Sequence, residues 1–181
     1  MLKTYPIFQH AYLVNDVREA CESWHRLFGA GPFVVTDHHR TEQFTYRGTD
    51  VEADVSYAFG YLDNLMIQFI QQHDDKPSIY REMYDAGQEG FHHVAYLVTD
   101  WDEAKSRLEN MGFECACELY AHGVAAAYYD TREVTGGFTE IHGDPPHIIS
   151  TFANWHWAHL NQKEDGGAIM KRPAIDRKSV V

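Results

Sequence analysis

Short apolar runs alternate with polar ones along most of this chain, and two of those runs nearly repeat each other. Residues 8–16 read FQHAYLVND and residues 91–100 read FHHVAYLVTD. Each is an apolar stretch of strand character that ends in a polar residue and an aspartate, and each leads into a segment of helical spacing. Aligned on Ala-Tyr-Leu-Val, residues 11–16 fall on 95–100 without a gap. The next four positions follow suit, Val17-Arg18-Glu19-Ala20 against Trp101-Asp102-Glu103-Ala104. This is an internal repeat with a period of about half the chain, and it organises the rest.

The pattern predicts strand, helix and three strands, twice. In the first copy a strand over 7–14 leads to a helix over 17–28. Its apolar positions Val17, Ala20, Cys21, Trp24, Leu27 and Phe28 recur at steps of three and four. Asn15 or Asp16 supplies the N-cap, and Gly29-Ala30-Gly31-Pro32 ends the helix. A second strand is expected over 33–36, a polar loop over 37–42, and a further piece of sheet over 44–47. Residues 51–59 predict a strand with Val51, Val55, Tyr57 and Phe59 on one face and Glu52, Asp54, Ser56 and Ala58 on the other. After a turn at 60–64, residues 65–71 return as the last strand of the copy. Residues 74–90 form a connector with a short helix capped by Ser78. The second copy brings a strand from Phe91, a helix over 101–111, and strands over 113–119, 124–129 and 137–142. The expected divisions are a first module over 6–73, the connector over 74–90, a second module over 91–145, and a C-terminal part over 146–181. That last part combines a helix over 148–160, bearing Trp155 and Trp157, with a polar arm from Lys163 onward expected to cross onto a partner.

Composition narrows the function. At 181 residues the chain suits one domain, or two small modules with a shared core. Acidic residues number 27 against 15 basic ones, a net charge of −12, which disfavours nucleic acid and anionic membranes as partners. No apolar run approaches the roughly 20 residues of a membrane helix, and MLKTYPIF lacks a signal-peptide pattern. Three cysteines (Cys21, Cys115 and Cys117) without metal-type spacing suggest reduced thiols and a cytoplasmic protein, with Cys115 and Cys117 as small buried residues of one strand face.

Two tandem βαβββ units, the near-identical first strands, Gly-Ala-Gly-Pro-Phe after the first helix and a terminal Gly-Gly-Phe-Thr-Glu-Ile resemble the vicinal oxygen chelate superfamily over roughly residues 6–145. Members include glyoxalase I, methylmalonyl-CoA epimerase, extradiol dioxygenases and bleomycin-resistance proteins. The resemblance implies an α+β fold in which two half-open sheets enclose one cavity. It also implies a divalent metal (zinc, nickel, cobalt, manganese or iron), with ligands from each first and each fourth strand. On this chain the second unit would supply His93 and Glu140, and the first would supply Gln68. The remaining position falls on Gln9 by simple alternation, or on His10 if a bulge turns that residue inward.

The implied activity is that of a metal-dependent isomerase, epimerase or lyase acting beside a carbonyl of a small organic substrate. Glu140 is one candidate base, and Glu52 and Asp54 are two more. Two other functions remain open. One is a metal-free protein that sequesters a small apolar molecule. The other is an extradiol-type dioxygenase using His10, His93 and Glu140. A homodimer is expected, because an open half-barrel leaves edges for a partner to cover. His92 is expected on the opposite side of its strand as a core histidine. Asp37-His38-His39 offers a conceivable second metal site but is expected to be a solvated loop. His122 is a candidate for the cavity mouth, and His142, on the face of Glu140, for supporting the metal ligands or touching the substrate.

Overall fold

The computed structural model describes residues 5–163 and 166–170. The first unit comprises β1 (Ile7–Leu13), α1 (Val17–Phe28), β2 (Val34–His39), a hairpin of β3 (Gln43–Tyr46) and β4 (Thr49–Asp50), then β5 (Val55–Leu62) and β6 (Leu65–Gln72). A one-turn α2 (Ile79–Met83) connects it to the second unit. That unit holds β7 (Gly90–Val98), α3 (Trp101–Asn110), β8 (Cys115–Ala121), β9 (Val124–Tyr129), α4 (Arg132–Thr135) and β10 (Phe138–Gly143), and α5 (Pro146–Leu160) follows.

The repeated aspartates explain why both units begin alike. Asp16 accepts hydrogen bonds from the backbone of Arg18 and Glu19 at 2.8 and 3.0 Å, and Asp100 accepts from Glu103 at 2.9 Å. Each caps the free N–H groups that open a helix, so each strand is followed at once by a helix folded back on the sheet. Gly29, at φ 72°, ends α1 in the left-handed conformation that costs glycine least.

Among the described residues the strands form one sheet in the order β2-β5-β6-β1-β7-β10-β9-β8-β3-β4. The two units meet along β1 and β7, which run antiparallel. Within each unit the first strand pairs in parallel with the last, β1 with β6 and β7 with β10. Helix α1 packs Val17 and Cys21 on the convex side against Ala58, Ile67 and Phe69, and α3 covers the other half over Ala127, Tyr129 and Ile141. The concave side holds Ala11, Leu13, Tyr57, Ile70, Tyr128 and Phe138. This is the α+β, glyoxalase-like architecture the repeat implies, with the two half-sheets joined into one.

Several local expectations need correcting. Residues 37–39 continue β2 rather than opening a loop, and residues 51–54 belong to no strand, so the strand expected from Val51 begins at Val55. The β3–β4 hairpin leaves its own unit and pairs β3 with β8 at the far edge. Arg47 anchors it there, reaching Glu82 at 2.6 Å, Asp130 at 2.7 Å and Glu114 at 2.9 Å. The arm after Lys163 does not leave the chain where it is described. Phe33 donates its N–H to Ala168 at 2.7 Å, Met170 donates to Phe33 at 2.8 Å, and Ala168 is buried. Residues 171–181 lie outside the described part. No helix among the described residues is long and apolar enough to cross a membrane. The three cysteines are free.

Candidate functional site

The curled sheet encloses a cavity of about 190 Å³, lined by Gln9, Gln68 and Glu140 among aromatic and aliphatic walls. Strand alternation places these groups. Gln9 pairs with Met66 and Ala95, Gln68 with Ala11, and Ala11 with His93, so side chains at these levels share the concave face. Gln9 is 3% exposed and points its Nε2 at Met66 Sδ, 3.3 Å away. His10 faces the other way, half-buried, with its ring 6.0 Å from that of Phe91. β1 does bulge, at Phe8 between the Ile7–Tyr96 and Gln9–Ala95 pairs, but Gln9 faces inward and His10 outward all the same.

A second register shift between these strands falls on β7. Ala11 pairs with His93 and Tyr12 with Phe91, so His92 is the additional residue. It therefore does not face away from its neighbour as simple alternation predicts. His92 Nδ1 lies 2.8 Å from His93 Nδ1, and both rings sit against Tyr128. His92 is nonetheless a satisfied core residue, because its Nε2 reaches the Ile79 carbonyl at 3.3 Å.

These contacts fix the protons. A carbonyl can only accept, so His92 carries its hydrogen on Nε2 and offers a lone pair at Nδ1. Burial holds both imidazoles neutral, lowering each pKa to about 3, with the neighbouring His93 adding to the effect on His92 and His10 to that on His93. His93 then donates from Nδ1 to His92, and its Nε2 keeps a lone pair. That nitrogen is 2.8 Å from Glu140 Oε2, yet outside hydrogen-bonding geometry. Gln68 Oε1 is likewise buried without a partner. Buried acceptors left unmatched are costly, and two acceptors at this separation need a proton or a cation between them. Burial raises the Glu140 pKa to about 7, while His142 and the Tyr128 phenol oppose that rise. The donor set (an imidazole, a carboxylate and two amides) fits a first-row divalent ion.

The remaining candidates lie elsewhere. Glu52 is at the surface, 3.9 Å from Lys76, and Asp54 pairs with His38 at 2.7 Å. Neither lines the cavity. His122 and His142 do line it, with His39, whose pKa is lowered by burial and by His122. Tyr57 and Tyr128 also face it, and Tyr57 hydrogen-bonds Tyr80 at 2.8 Å. Spacing gave no signal for His39 as a lining residue, since its loop is in fact a strand end. Alternation put Tyr57 and Phe59 on one face of their strand, and that face, not the one assigned to Glu52 and Asp54, is the cavity's. From α5, Ile148 and Phe152 close one side of the cavity. Trp155 stacks on Phe59 with ring centres 5.6 Å apart, while Trp157 is exposed.

The family model of the Glyoxalase/Bleomycin resistance protein/Dioxygenase superfamily matches residues 8–129. Comparison with curated proteins finds no match. Among solved structures, methylmalonyl-CoA epimerase from Mycobacterium tuberculosis superposes with a TM-score of 0.53 at 16% identity, over 80% of this chain and 91% of that one. A methylmalonyl-CoA epimerase in complex with methylmalonyl-CoA and NH4+ gives 0.53 at 15% identity, over 78% and 96%. The hypothetical protein BH1468 from Bacillus halodurans C-125 gives 0.54 at 14% identity, over 78% and 96%. At these identities the likeness is one of fold.

Proposed function

The chain belongs to the glyoxalase, bleomycin resistance protein and dioxygenase superfamily, and from that premise we propose that it is a divalent-metal-dependent isomerase, epimerase or lyase acting beside a carbonyl. The observation that carries this is the pair of unpartnered buried acceptors, Gln68 Oε1, on a side chain that lines the cavity with Glu140, and His93 Nε2, 2.8 Å from Glu140 Oε2. Gln9, Gln68, His93 and Glu140 would hold the ion. Once bound, a divalent ion supplies stabilisation of the negative oxygen that forms when an α-proton leaves. Glu140 then has two tasks, as a ligand that can be displaced and as the base that takes the α-proton on a carboxylate oxygen and returns it. Burial raises its pKa toward 7 in the metal-free protein, while a bound cation would draw it down again and keep the carboxylate ionised and ready to accept a proton. The aromatic walls exclude water and so strengthen each of these interactions.

One observation favours simple ligand sequestration as a second reading. With Glu52 and Asp54 outside the cavity, Glu140 is the remaining candidate base among those named. The dioxygenase reading loses support, because it needs His10 inside. The expected assembly is a homodimer, and the free thiols suit a cytoplasmic setting. A monomer by light scattering at micromolar concentration would refute the dimer.

The test is α-proton exchange. Protein reconstituted with zinc, nickel, cobalt or manganese should exchange the α-hydrogen of a compact carbonyl compound with deuterated solvent. Glu140→Gln should lower the rate by about 10²-fold or more. Exchange equal to the metal-free blank across a panel of such compounds, with tight binding retained, would establish sequestration instead.

A further inference from the structure

Outside the cavity, where β2 and β6 end and β5 begins, three side chains converge. One donor atom from each of His38, Asp54 and His73 lies within 4.8 Å of the other two. We propose that these residues form a second divalent-metal site, independent of the cavity, for a first-row ion of the zinc class.

Sequence adjacency made Asp37, His38 and His39 the obvious cluster, and the fold takes that cluster apart. His39 goes to the cavity and Asp37 to an ion pair with Arg18 at 2.6 Å. His38, exposed like Asp37, lies at the register shift between Thr36 and His39, with φ 47°. Its partners come from two other segments. Asp54 precedes β5 and His73 follows β6, and the His73 N–H donates to the Asp54 carbonyl at 2.8 Å, which holds the two side by side.

Each ring can turn one nitrogen to an ion. His38 Nδ1 lies 2.7 Å from Asp54 Oδ1, so it is the nitrogen that an ion shared with Asp54 would take, in place of the proton between them. His73 Nε2 contacts Ser56 Oγ at 2.7 Å, leaving Nδ1. Ser56 is 1% exposed and its hydroxyl also accepts the His38 backbone N–H at 3.0 Å, so one buried group positions both histidines. The Ser56 bond behind the His73 imidazole is of the kind that orients metal-binding histidines. The two rings lie tilted by 33° with centres 4.6 Å apart. An ion with bonds of about 2.0–2.1 Å would require its ligands to close in slightly. His38 and Asp54 have the freedom to do so, with side chains 64% and 43% exposed. Water would complete the shell. Two imidazoles and one carboxylate favour zinc, nickel or copper over magnesium or calcium. An ion here would tie the bulge of β2 to the end of β6 and so hold His39, the next residue, at the cavity mouth.

The probe is zinc, titrated calorimetrically into full-length, tag-free protein stripped with a chelator. Wild type should take two equivalents. His38→Ala and His73→Ala should each take one, as should a His93→Gln/Glu140→Gln double variant, which retains the surface site. Ser56→Ala should bind the surface equivalent at least tenfold more weakly while its metal-free melting temperature stays near wild type. If the cavity binds no metal, wild type takes one equivalent and His38→Ala none, so failure of the cavity assignment leaves a distinct record. Unchanged stoichiometry in both His38→Ala and His73→Ala overturns the proposal, as does an equal loss in His122→Ala, which would indicate unspecific histidine binding.

Discussion

At the scale of single residues, the proposed chemistry turns on Glu140, and its protonation has a thermodynamic signature. Its pKa is raised from 4.5 to about 7 by burial. The folded state therefore binds more protons than the unfolded chain between those values, so the stabilisation is complete below about pH 4.5 and disappears as pH rises through 7. His92 and His93, lowered to about 3, act in the opposite direction below pH 6.5, so the total pH profile mixes both. Glu140→Gln isolates the first term. In metal-free protein, its stability relative to wild type should climb by roughly 3 kcal/mol between pH 4.5 and 7 and then level off. Urea melts across that range check this, and a flat difference would mean that Glu140 is ionised throughout. Gln9 and His10 give a second contrast. Gln9→Ala should weaken metal binding with little change in melting temperature. His10→Ala should cost on the order of 1 kcal/mol or less and leave metal binding unchanged. Gln9 was legible because alternation from Ala11 and Leu13 holds along β1. His92 was not, since nothing in Phe-His-His-Val shows which residue a strand will bulge out.

At the scale of elements, that bulge is built by two strands together. Gly137 precedes β10 and lies against it. A Cβ placed there would fall 2.6 Å from the Phe91 ring and 2.7 Å from the His92 carbonyl oxygen. A backbone oxygen cannot swing aside as a flexible side chain can, so Gly137→Ala must displace β7 or β10. The expected cost is roughly 1–3 kcal/mol, as for other overpacked sites. Because the displaced segment carries His92 and His93, cavity metal binding should weaken as well, although Gly137 bears no ligand. Calorimetry on the folded variant checks the second effect, and unchanged affinity would separate the bulge from the site. Helices α1, α2, α3 and α5 and most strands could be read from their periodicity and caps, while the one-turn α4 was not foreseen. The β3–β4 hairpin could not, because its destination depends on Arg47 meeting Glu82, Glu114 and Asp130, residues 35 or more positions away, and local pattern carries no record of such partners. The arm escaped for a similar reason. A polar stretch with paired glycines gives no hint that Ala168 docks on Phe33.

At the scale of the whole molecule, charge and shape restrict what can enter. The chain carries −12, and neither lysine nor arginine lines the cavity. The adjoining cleft, which shares His39 and Thr41 with it, sets Arg40 against Glu42, Asp50 and Glu52. A substrate delivered on a phosphate-bearing carrier would have to lay several negative charges along that surface. The walls of the cavity itself, Tyr57, Phe59, Leu119, Tyr128, Ile148 and Phe152, suit a compact apolar body instead. The fold is shared with methylmalonyl-CoA epimerases, but fold does not transfer a substrate. We therefore expect a free carbonyl compound of about ten heavy atoms, apolar apart from the oxygen that meets the cavity floor, to bind at least tenfold more tightly than a coenzyme A thioester of similar acyl size. The sign of the salt dependence separates the cases. Screening relieves repulsion between like charges, so any thioester binding should strengthen from low salt to about 0.15 M, where the Debye length falls to about 8 Å. Binding of the neutral compound should scarcely change. Calorimetric titrations of both ligands at two ionic strengths decide the matter. A thioester that binds more tightly and weakens with salt would mean that cations outside the described lining meet its phosphates, and the free-substrate assignment would fall.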